Sequence, residues 1–172
     1  MNMKRALILS GIVLLAICCA VIPAQAFTAK SLDVVVKEDT SAIITFDYEL
    51  SWFENIAVFL RIADPGVELK KALEGNFKKP VDVIAANGDR SQFVVQGFAS
   101  KNEQGATTTV RTPTLSFKEA ETVLKQYWFA PLINPDFSPD VTKVTFSDGY
   151  EEFFYNQDQI PAITHVLNLE SP

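Results

Sequence analysis

The sequence predicts an α+β fold, a mostly antiparallel sheet built from hairpins with about three helices packed on one face. Segments of alternating apolar and polar residues occur in pairs joined by short turn sequences, as in antiparallel hairpins. Other segments are apolar throughout or repeat their apolar residues at helical spacing. Proline and glycine separate the two kinds of segment, which gives the order of the elements.

The first 26 residues have the features of a secretory signal peptide. Lys4 and Arg5 precede an apolar run, Ala6 to Ile22, and Ala24-Gln25-Ala26 fits the small-x-small cleavage pattern. The run is at the lower length limit for spanning a bilayer, so an uncleaved anchor is the alternative. We predict an extracytoplasmic protein, secreted or tethered to the outer face of the cytoplasmic membrane only through an uncleaved N-terminal segment.

Both cysteines, Cys18 and Cys19, lie inside this leader. Cys18 follows an apolar run as in lipoproteins, but Ile17 is not the small residue that a lipidation site has before its cysteine. The segment from Phe27 onward therefore has no disulfide and no thiol nucleophile. We predict a single α+β domain over residues 27–156, long enough for its own core, and a C-terminal tail over residues 157–172.

The segment after the leader is acidic, with 13 basic and 21 acidic side chains and a net charge of −8. Nucleic-acid binding requires a cationic surface, so this class of function is excluded. Contact with anionic membrane surfaces is disfavoured for the same reason.

The first predicted hairpin joins Leu32–Lys37 to Ala42–Leu50. In its second strand Ile44, Phe46 and Tyr48 alternate with polar residues, which predicts one buried and one solvated face.

A mostly apolar segment, Trp52–Ala63, predicts a central helix that Asp64-Pro65-Gly66 ends. It is too short to span a bilayer and lacks the basic face of an interfacial helix. A helix that is apolar nearly all round is normally buried, so we assign it to the core. An interface with an envelope protein or with a second copy is the alternative, and membrane contact is a weaker one.

A second helix, Val67–Glu74, is predicted next, with Gly75-Asn76 as its stop. A hairpin of Val81–Ala86 and Gln92–Ala99 follows around Asn87-Gly88, a dipeptide that suits positive φ angles. Lys101–Ala106 is predicted as a polar loop.

Thr107–Arg111 is predicted as a short strand. A third helix, from Ser116 or Phe117 to Trp128, has an apolar face at helical spacing. The last hairpin joins Val141–Phe146 to Tyr150–Tyr155 through a type I′ turn at Asp148-Gly149. That register places Phe153 opposite Val144 on the buried side.

Aromatic side chains on the apolar helix and around the proline-rich segment Phe129–Asp140 are the candidate ligand or partner contacts, with core packing as the alternative. They are Trp52, Phe53, Phe59, Tyr127, Trp128, Phe129 and Phe137.

Features that support catalysis are few. Asp47 and Glu49 lie on one face of a strand, as a carboxylate-dependent hydrolase needs, but we favour a solvated strand face as the explanation. His165 is the only histidine and falls in the predicted tail. Oxygen-bearing side chains at 134, 136, 138 and 140 resemble a calcium loop, but Pro139 replaces the glycine that such a loop needs, so we assign them to turns. We predict no catalytic residue, no metal site and no cofactor.

Two stretches carry a resemblance to a known group. They are SWFENIAVFLRIADPGVELKKALE, residues 51–74, and AETVLKQYWFAPLINPDFSPDVTKVTFSDGYEEFFYNQ, residues 120–157. The chain resembles uncharacterised exported proteins of methanogenic archaea. The resemblance implies an archaeal cell-surface location and carries no activity, catalytic residue or partner.

The sequence therefore predicts an exported, non-enzymatic cell-envelope domain with a binding or assembly role. An extracytoplasmic carrier of a small apolar ligand is the alternative, with its cavity under Trp52, Phe53, Phe59 and Trp128. A carboxylate-dependent hydrolase is the weaker alternative.

Cleavage of the leader is directly testable by intact mass spectrometry of the native protein in the membrane and released fractions of its own cells. We expect a mass that begins at Phe27 in the released fraction, because Ala24-Gln25-Ala26 fits the cleavage pattern. A mass that retains Met1, or that carries lipid on Cys18, would contradict this expectation.

Overall fold

The computed structural model describes residues 27–50, 64–105, 107–118, 121, 122, 125 and 136–168. These residues contain eleven strands and one helix with defined bounds. In chain order they are β1 (Phe27–Val36), β2 (Ala42–Leu50), α1 (Pro65–Phe77), β3 (Val81–Ala86), β4 (Arg90–Val95), β5 (Ser100–Gln104), β6 (Thr107–Arg111), β7 (Leu115–Ser116), β8 (Val141–Thr145), β9 (Glu151–Tyr155), β10 (Gln159–Ile160) and β11 (Thr164–Leu167).

The predicted α+β class with about three helices on one face is wrong, because strands in several sheets dominate the described part of the chain. The predicted helix Trp52–Ala63 lies outside the described residues. In the third predicted helix, the amides of Glu121 and Lys125 donate to the carbonyls of Phe117 and Glu121 at 3.3 and 3.0 Å, so helical turns are present there.

Six of the described strands form the large sheet, in the order β3-β4-β2-β1-β8-β9. All neighbours are antiparallel except β1 and β8, which run parallel in the interior of the sheet. Hairpin turns cannot join parallel strands, so this contact links segments far apart in the sequence. One face of the sheet is buried, and Ile44, Phe46 and Tyr48 lie on it as predicted.

The remaining described strands supply a second layer to the same core. β11, β6 and β5 form a small antiparallel sheet, and β10 pairs with β7. Val110, Leu115, Ile160 and Leu167 from these strands join the cluster of buried side chains that lines the large sheet.

Three of these strands, β5, β10 and β11, were not expected from their sequences. The predicted polar loop Lys101–Ala106 is wrong over most of its length, because β5 occupies Ser100–Gln104. Its side chains are all exposed, and backbone pairing with β6 holds it rather than burial. In the segment predicted as a tail from Gln157, β10 and β11 are present, each too short to show a period.

Helix α1 starts where a helix was predicted to end. The Asp64 carboxylate accepts a hydrogen bond from the Val67 amide at 3.3 Å, and Pro65 occupies the first helical position. Proline fits there because its missing N–H would have no partner in the helix. The helix also continues through Gly75 and ends before Lys78, whose positive φ of 54° reverses the chain.

The hairpin of β3 and β4 is confirmed, although Asn87 and Gly88 do not adopt positive φ angles. The turn is held from the neighbouring strand instead. The Tyr48 hydroxyl donates to the Asn87 carbonyl at 2.7 Å and lies 3.0 Å from the Ser91 hydroxyl, and the Tyr48 amide donates to the Asp89 carbonyl.

The hairpin of β8 and β9 is also confirmed, but its predicted type I′ turn and register are wrong. The Gly149 amide donates to the Phe146 carbonyl at 3.0 Å, and the Phe146 amide donates to the Tyr150 carbonyl at 2.9 Å. The loop is therefore three residues long, Ser147 to Gly149, with only Gly149 of these at positive φ (86°).

The extra loop residue shifts β9 by one position. Val144 pairs with Glu152, and Phe153 pairs with Lys143. Because side chains alternate across a strand, the shift moves Phe153 from the predicted buried face to the opposite face of the large sheet.

Replacing Gly149 with alanine tests this turn. We expect Gly149→Ala to lower the free energy of unfolding by about 1 kcal/mol, since a Cβ disfavours positive φ. Gly88→Ala is the matched control, because Gly88 lies in the other hairpin turn without a positive φ, and both glycines have open space around an added Cβ. Urea denaturation measures both variants, and equal effects would contradict the assigned turn.

Candidate functional site

The large sheet has a second face, which points away from the core and which we call the outer face. Its side chains are half-buried or exposed, and the pairing places them in rows across the strands. One row is Arg90, Asp47, Ser31, Val141, Tyr155; the next is Gln92, Thr45, Asp33, Lys143, Phe153; the third is Val94, Ile43, Val35, Thr145, Glu151.

Asp47 is the best-connected acid of the outer face. Arg90 donates to both carboxylate oxygens, from Nε to Oδ1 at 2.5 Å and from Nη2 to Oδ2 at 3.1 Å. The Ser31 hydroxyl donates to Oδ2 at 3.1 Å. These hydrogen bonds, with that from Arg90 the strongest, hold the pKa of Asp47 below its usual value. The carboxylate therefore ties β1, β2 and β4 together as an ion.

Asp47 and Glu49, the two acids considered for hydrolysis, each lie beside a basic side chain. A general acid must carry its proton near the working pH, and Arg90 acts against protonation of Asp47. Glu49 lies 3.3 Å from the Lys30 ammonium and is exposed.

Lys143 supplies the positive charge next to β9. Its ammonium lies 3.6 Å from the Glu151 carboxylate and 3.9 Å from that of Asp33. The Thr145 hydroxyl also donates to Glu151, at 3.4 Å. The negative charge of Glu151 is thus partly neutralised by neighbouring side chains of its own chain, although these pairs are solvated and individually weak.

β9 forms one edge of the large sheet. The N–H and C=O groups of its successive residues point alternately toward β8 and away from the sheet. Hydrogen bonds from the Phe146 amide to the Tyr150 carbonyl (2.9 Å) and from the Asn156 amide to the Asp140 carbonyl (3.1 Å) frame the strand. Antiparallel pairs alternate, so residues 152 and 154 bond to β8. The N–H and C=O groups of Glu151, Phe153 and Tyr155 therefore point away from the sheet.

This outward edge has almost no partner within the described residues. The Gln157 side-chain amide donates to the Tyr155 carbonyl at 3.3 Å, and the structure gives no other bond to these outward groups from the described part of the chain. The aromatic side chains there are solvated, with exposed fractions of 47% for Phe153 and 63% for Tyr155.

Two of the other described edge strands, β3 and β5, have protective features that β9 lacks. β3 has a bulge between Val83 and Ala85, which disrupts a flat edge. β5 carries Lys101 and Glu103 among exposed polar residues. β9 has two glutamates but no lysine, proline or bulge, and its outward positions end in two aromatic residues.

A cluster at the β8–β9 turn fixes the position of this edge. His165 of β11 and Asp148 of the turn lie 2.8 Å apart, with side-chain exposures of 13% and 4%. The His165 ring stacks on Tyr150 at 4.2 Å between centroids and lies 4.9 Å from the ring of Phe146. We call these four residues the turn junction.

Asp148 is held as an anion in the turn junction. Burial acts to raise its pKa, but this is outweighed by the backbone amide of Asn168 at 2.9 Å, by His165 and by the Tyr150 amide at 3.2 Å. The net pKa lies below the usual value. The junction thereby connects the large sheet to β11, and it involves residues 17 positions apart that no local sequence pattern pairs.

Of the aromatic residues predicted to contact a ligand or partner, six lie outside the described residues: Trp52, Phe53, Phe59, Tyr127, Trp128 and Phe129. Phe137 is described and belongs to the core, with 7% of its surface exposed. Asp136 accepts a hydrogen bond from the Ser138 amide at 2.9 Å, which is the predicted turn rather than a calcium ligand set.

The described residues include no helix long and apolar enough to cross a membrane. In the same part of the chain, no group of three or more His, Cys, Asp or Glu side chains is placed to hold a metal ion.

Comparison with protein-family models, with curated proteins and with solved structures gives no match for this chain.

Acid titration of stability tests the turn junction. Because the pKa of Asp148 is lower in the folded than in the unfolded chain, its stabilisation is full above the unfolded value near 3.8 and is lost as the pH falls through the folded value. At neutral pH we expect Asp148→Asn to lower the free energy of unfolding by roughly 1.5–3 kcal/mol, the range for hydrogen bonds to a charged group.

Urea midpoints measured from pH 7 to pH 2 give the comparison. Asp136→Asn is the matched control, because Asp136 also caps a turn but is exposed and has no histidine partner. A cost for Asp148→Asn that is no larger than the control, or that grows as the pH falls below 3, would contradict this assignment.

Proposed function

We propose that this protein is an extracytoplasmic, non-enzymatic binding or assembly domain of the cell envelope, which acts by adding a β-strand to the edge of β9. The observation that carries the proposal is the outward edge of Glu151, Phe153 and Tyr155, where exposed aromatic side chains lie beside backbone groups that, apart from the Tyr155 carbonyl, have no partner among the described residues. The leader of residues 1–26 supports the location outside the cytoplasm.

Addition of a strand would use both features of this edge, the outward backbone groups and the exposed aromatic side chains. An added strand satisfies the outward N–H and C=O groups, which supply affinity without regard to sequence. The side chains at alternate positions then supply specificity. In β9 the outward backbone groups and the outer-face side chains belong to the same residues, so one partner strand engages both.

The outer face supports a polypeptide partner over a small ligand. Lys143 and Glu151 lie beside Phe153, so apolar and charged groups alternate along the edge. A partner strand with an apolar residue opposite Phe153 and a hydrogen-bond donor opposite Glu151 matches this arrangement.

The placement of the acids supports a non-enzymatic role. Asp47 is held as an ion by Arg90, and Asp148 is held as an ion in the turn junction. His165, the only histidine of the sequence, contacts Asp148 and two aromatic rings that position the hairpin. Each of these groups has a structural task that accounts for its surroundings.

Photocrosslinking in intact cells tests the proposal. Full-length protein carries p-benzoylphenylalanine in place of Phe153, and cells of the source organism are irradiated. We expect a covalent adduct with a polypeptide, because the ring at this position lies within the proposed contact.

The matched control places the same residue at Ile84, which has a similar exposed fraction (52%) on β3 at the opposite edge of the large sheet. The adduct should be absent there, because β3 is bulged. Equal yields at the two positions, or no adduct at 153, would overturn the proposal.

A further inference from the structure

The partner strand that fits the edge of β9 best is β9 itself. Resting on the proposed function, we propose that two copies of this chain associate through antiparallel β9 strands, related by a two-fold axis at Phe153. The two large sheets then continue into one another across the axis.

The backbone groups are self-complementary about Phe153. In antiparallel pairing around this residue, Phe153 faces Phe153 of the second copy, and Glu151 faces the second copy's Tyr155. All three residues direct N–H and C=O outward, so each pair forms two hydrogen bonds and the strand pair forms six. The contact between Gln157 and the Tyr155 carbonyl gives way to a backbone bond.

The side chains agree with this register. Glu151 lies opposite a tyrosine, whose hydroxyl donates to a carboxylate, and each Glu151 keeps Lys143 of its own copy at 3.6 Å. On the other face Glu152 lies opposite Phe154. No carboxylate of one β9 therefore faces a carboxylate of the other.

The neighbouring registers are less favourable. Pairing centred on Glu152 places the two Glu152 carboxylates directly opposite each other, which is repulsive. Pairing centred on Phe154 places Glu151 opposite residue 157, beyond the end of β9, where Asn156 has a φ of 50° and turns back to Asp140. The register centred on Phe153 uses the whole strand and avoids both costs.

Exposed apolar surface is removed by this association. Phe153 and Tyr155 are the largest exposed apolar side chains on the outer-face side of β9, and the association brings Phe153 against its own copy and Tyr155 against Glu151 of the second copy. An interface of this kind is isologous and closed, so assembly ends at the dimer. A strand edge of this composition otherwise invites open-ended aggregation.

Disulfide trapping tests the axis directly, because the segment after the leader has no cysteine. Residues opposite each other in a hydrogen-bonded antiparallel pair have Cα atoms roughly 5.5 Å apart, which is within the range of a disulfide. The full chain with Phe153→Cys, as its cells export it, should form a covalent dimer under mild oxidation.

Two controls accompany the trap. Tyr155→Cys places the thiol at a more exposed position that the axis separates from its own copy by four residues along the strand, beyond disulfide reach, and this variant should stay monomeric on a denaturing gel. The wild-type chain under the same oxidant shows how much covalent dimer Cys18 and Cys19 form if the leader is retained. Covalent dimer from Tyr155→Cys in equal yield would overturn the proposed register.

Sedimentation of the exported protein gives an independent measurement. The wild-type chain should sediment as a dimer at micromolar concentration, and Phe153→Lys should weaken the dimer about tenfold or more, since it places two ammonium groups opposite each other. Ile84→Lys, at the other edge of the sheet, should leave the dimer unchanged. The urea midpoint of Phe153→Lys checks that the variant is folded.

The outcomes separate this inference from the proposed function. A monomeric wild-type chain and no covalent dimer from Phe153→Cys would overturn association with a second copy. If the photocrosslink from position 153 then has the mass of this chain plus a different polypeptide, the edge still adds a strand and only the identity of the partner was wrong. If no adduct forms either, both proposals fall.

Discussion

The ionised carboxylate of Asp148 fixes the register on which the outer face and the edge of β9 depend. It accepts hydrogen bonds from the amides of Tyr150 and Asn168 and contacts His165, so the three-residue loop is held at its β9 side and from the β11 segment of the small sheet. With a two-residue loop, Phe153 would lie on the buried face and Glu152 on the outer face. The chemistry of the edge therefore follows from one turn, which a histidine of another sheet holds in place.

At the opposite side of the large sheet, a hairpin turn is likewise held by a contact from another strand. There the Tyr48 hydroxyl reaches the Asn87 carbonyl and Ser91, so a buried side chain of β2 holds the β3–β4 turn without positive φ angles. In both hairpins a side chain from outside the hairpin overrides the local preference of the turn sequence. Local sequence gives the location of each turn, and tertiary contacts decide its geometry.

The strands that could be predicted are those with a clear period of two and a turn signal beside them, as in β2 and the hairpins at Asn87 and Gly149. The register of β9 could not be predicted, because Asp148-Gly149 suits a two-residue loop and Gly149 alone also suits a three-residue loop. β5 is polar on both faces, and β10 and β11 are too short for a period. The turn junction was missed because its members are distant in sequence. Asp64-Pro65 was misassigned because the same pair can end one helix or begin the next.

The parallel contact between β1 and β8 determines when the large sheet can be completed. Ser31 pairs with Val141, 110 residues further along the chain. A polypeptide is synthesised from its N-terminus, so β1 and β2 are made long before β8. Until then the side of β1 that later receives β8 is an unsatisfied strand edge at what becomes the interior of the sheet. Closing so long a loop slows folding relative to hairpin formation. The newly made chain therefore passes through an interval in which one edge of β1 is open to the wrong partner, and that interval ends only when β8 has been made.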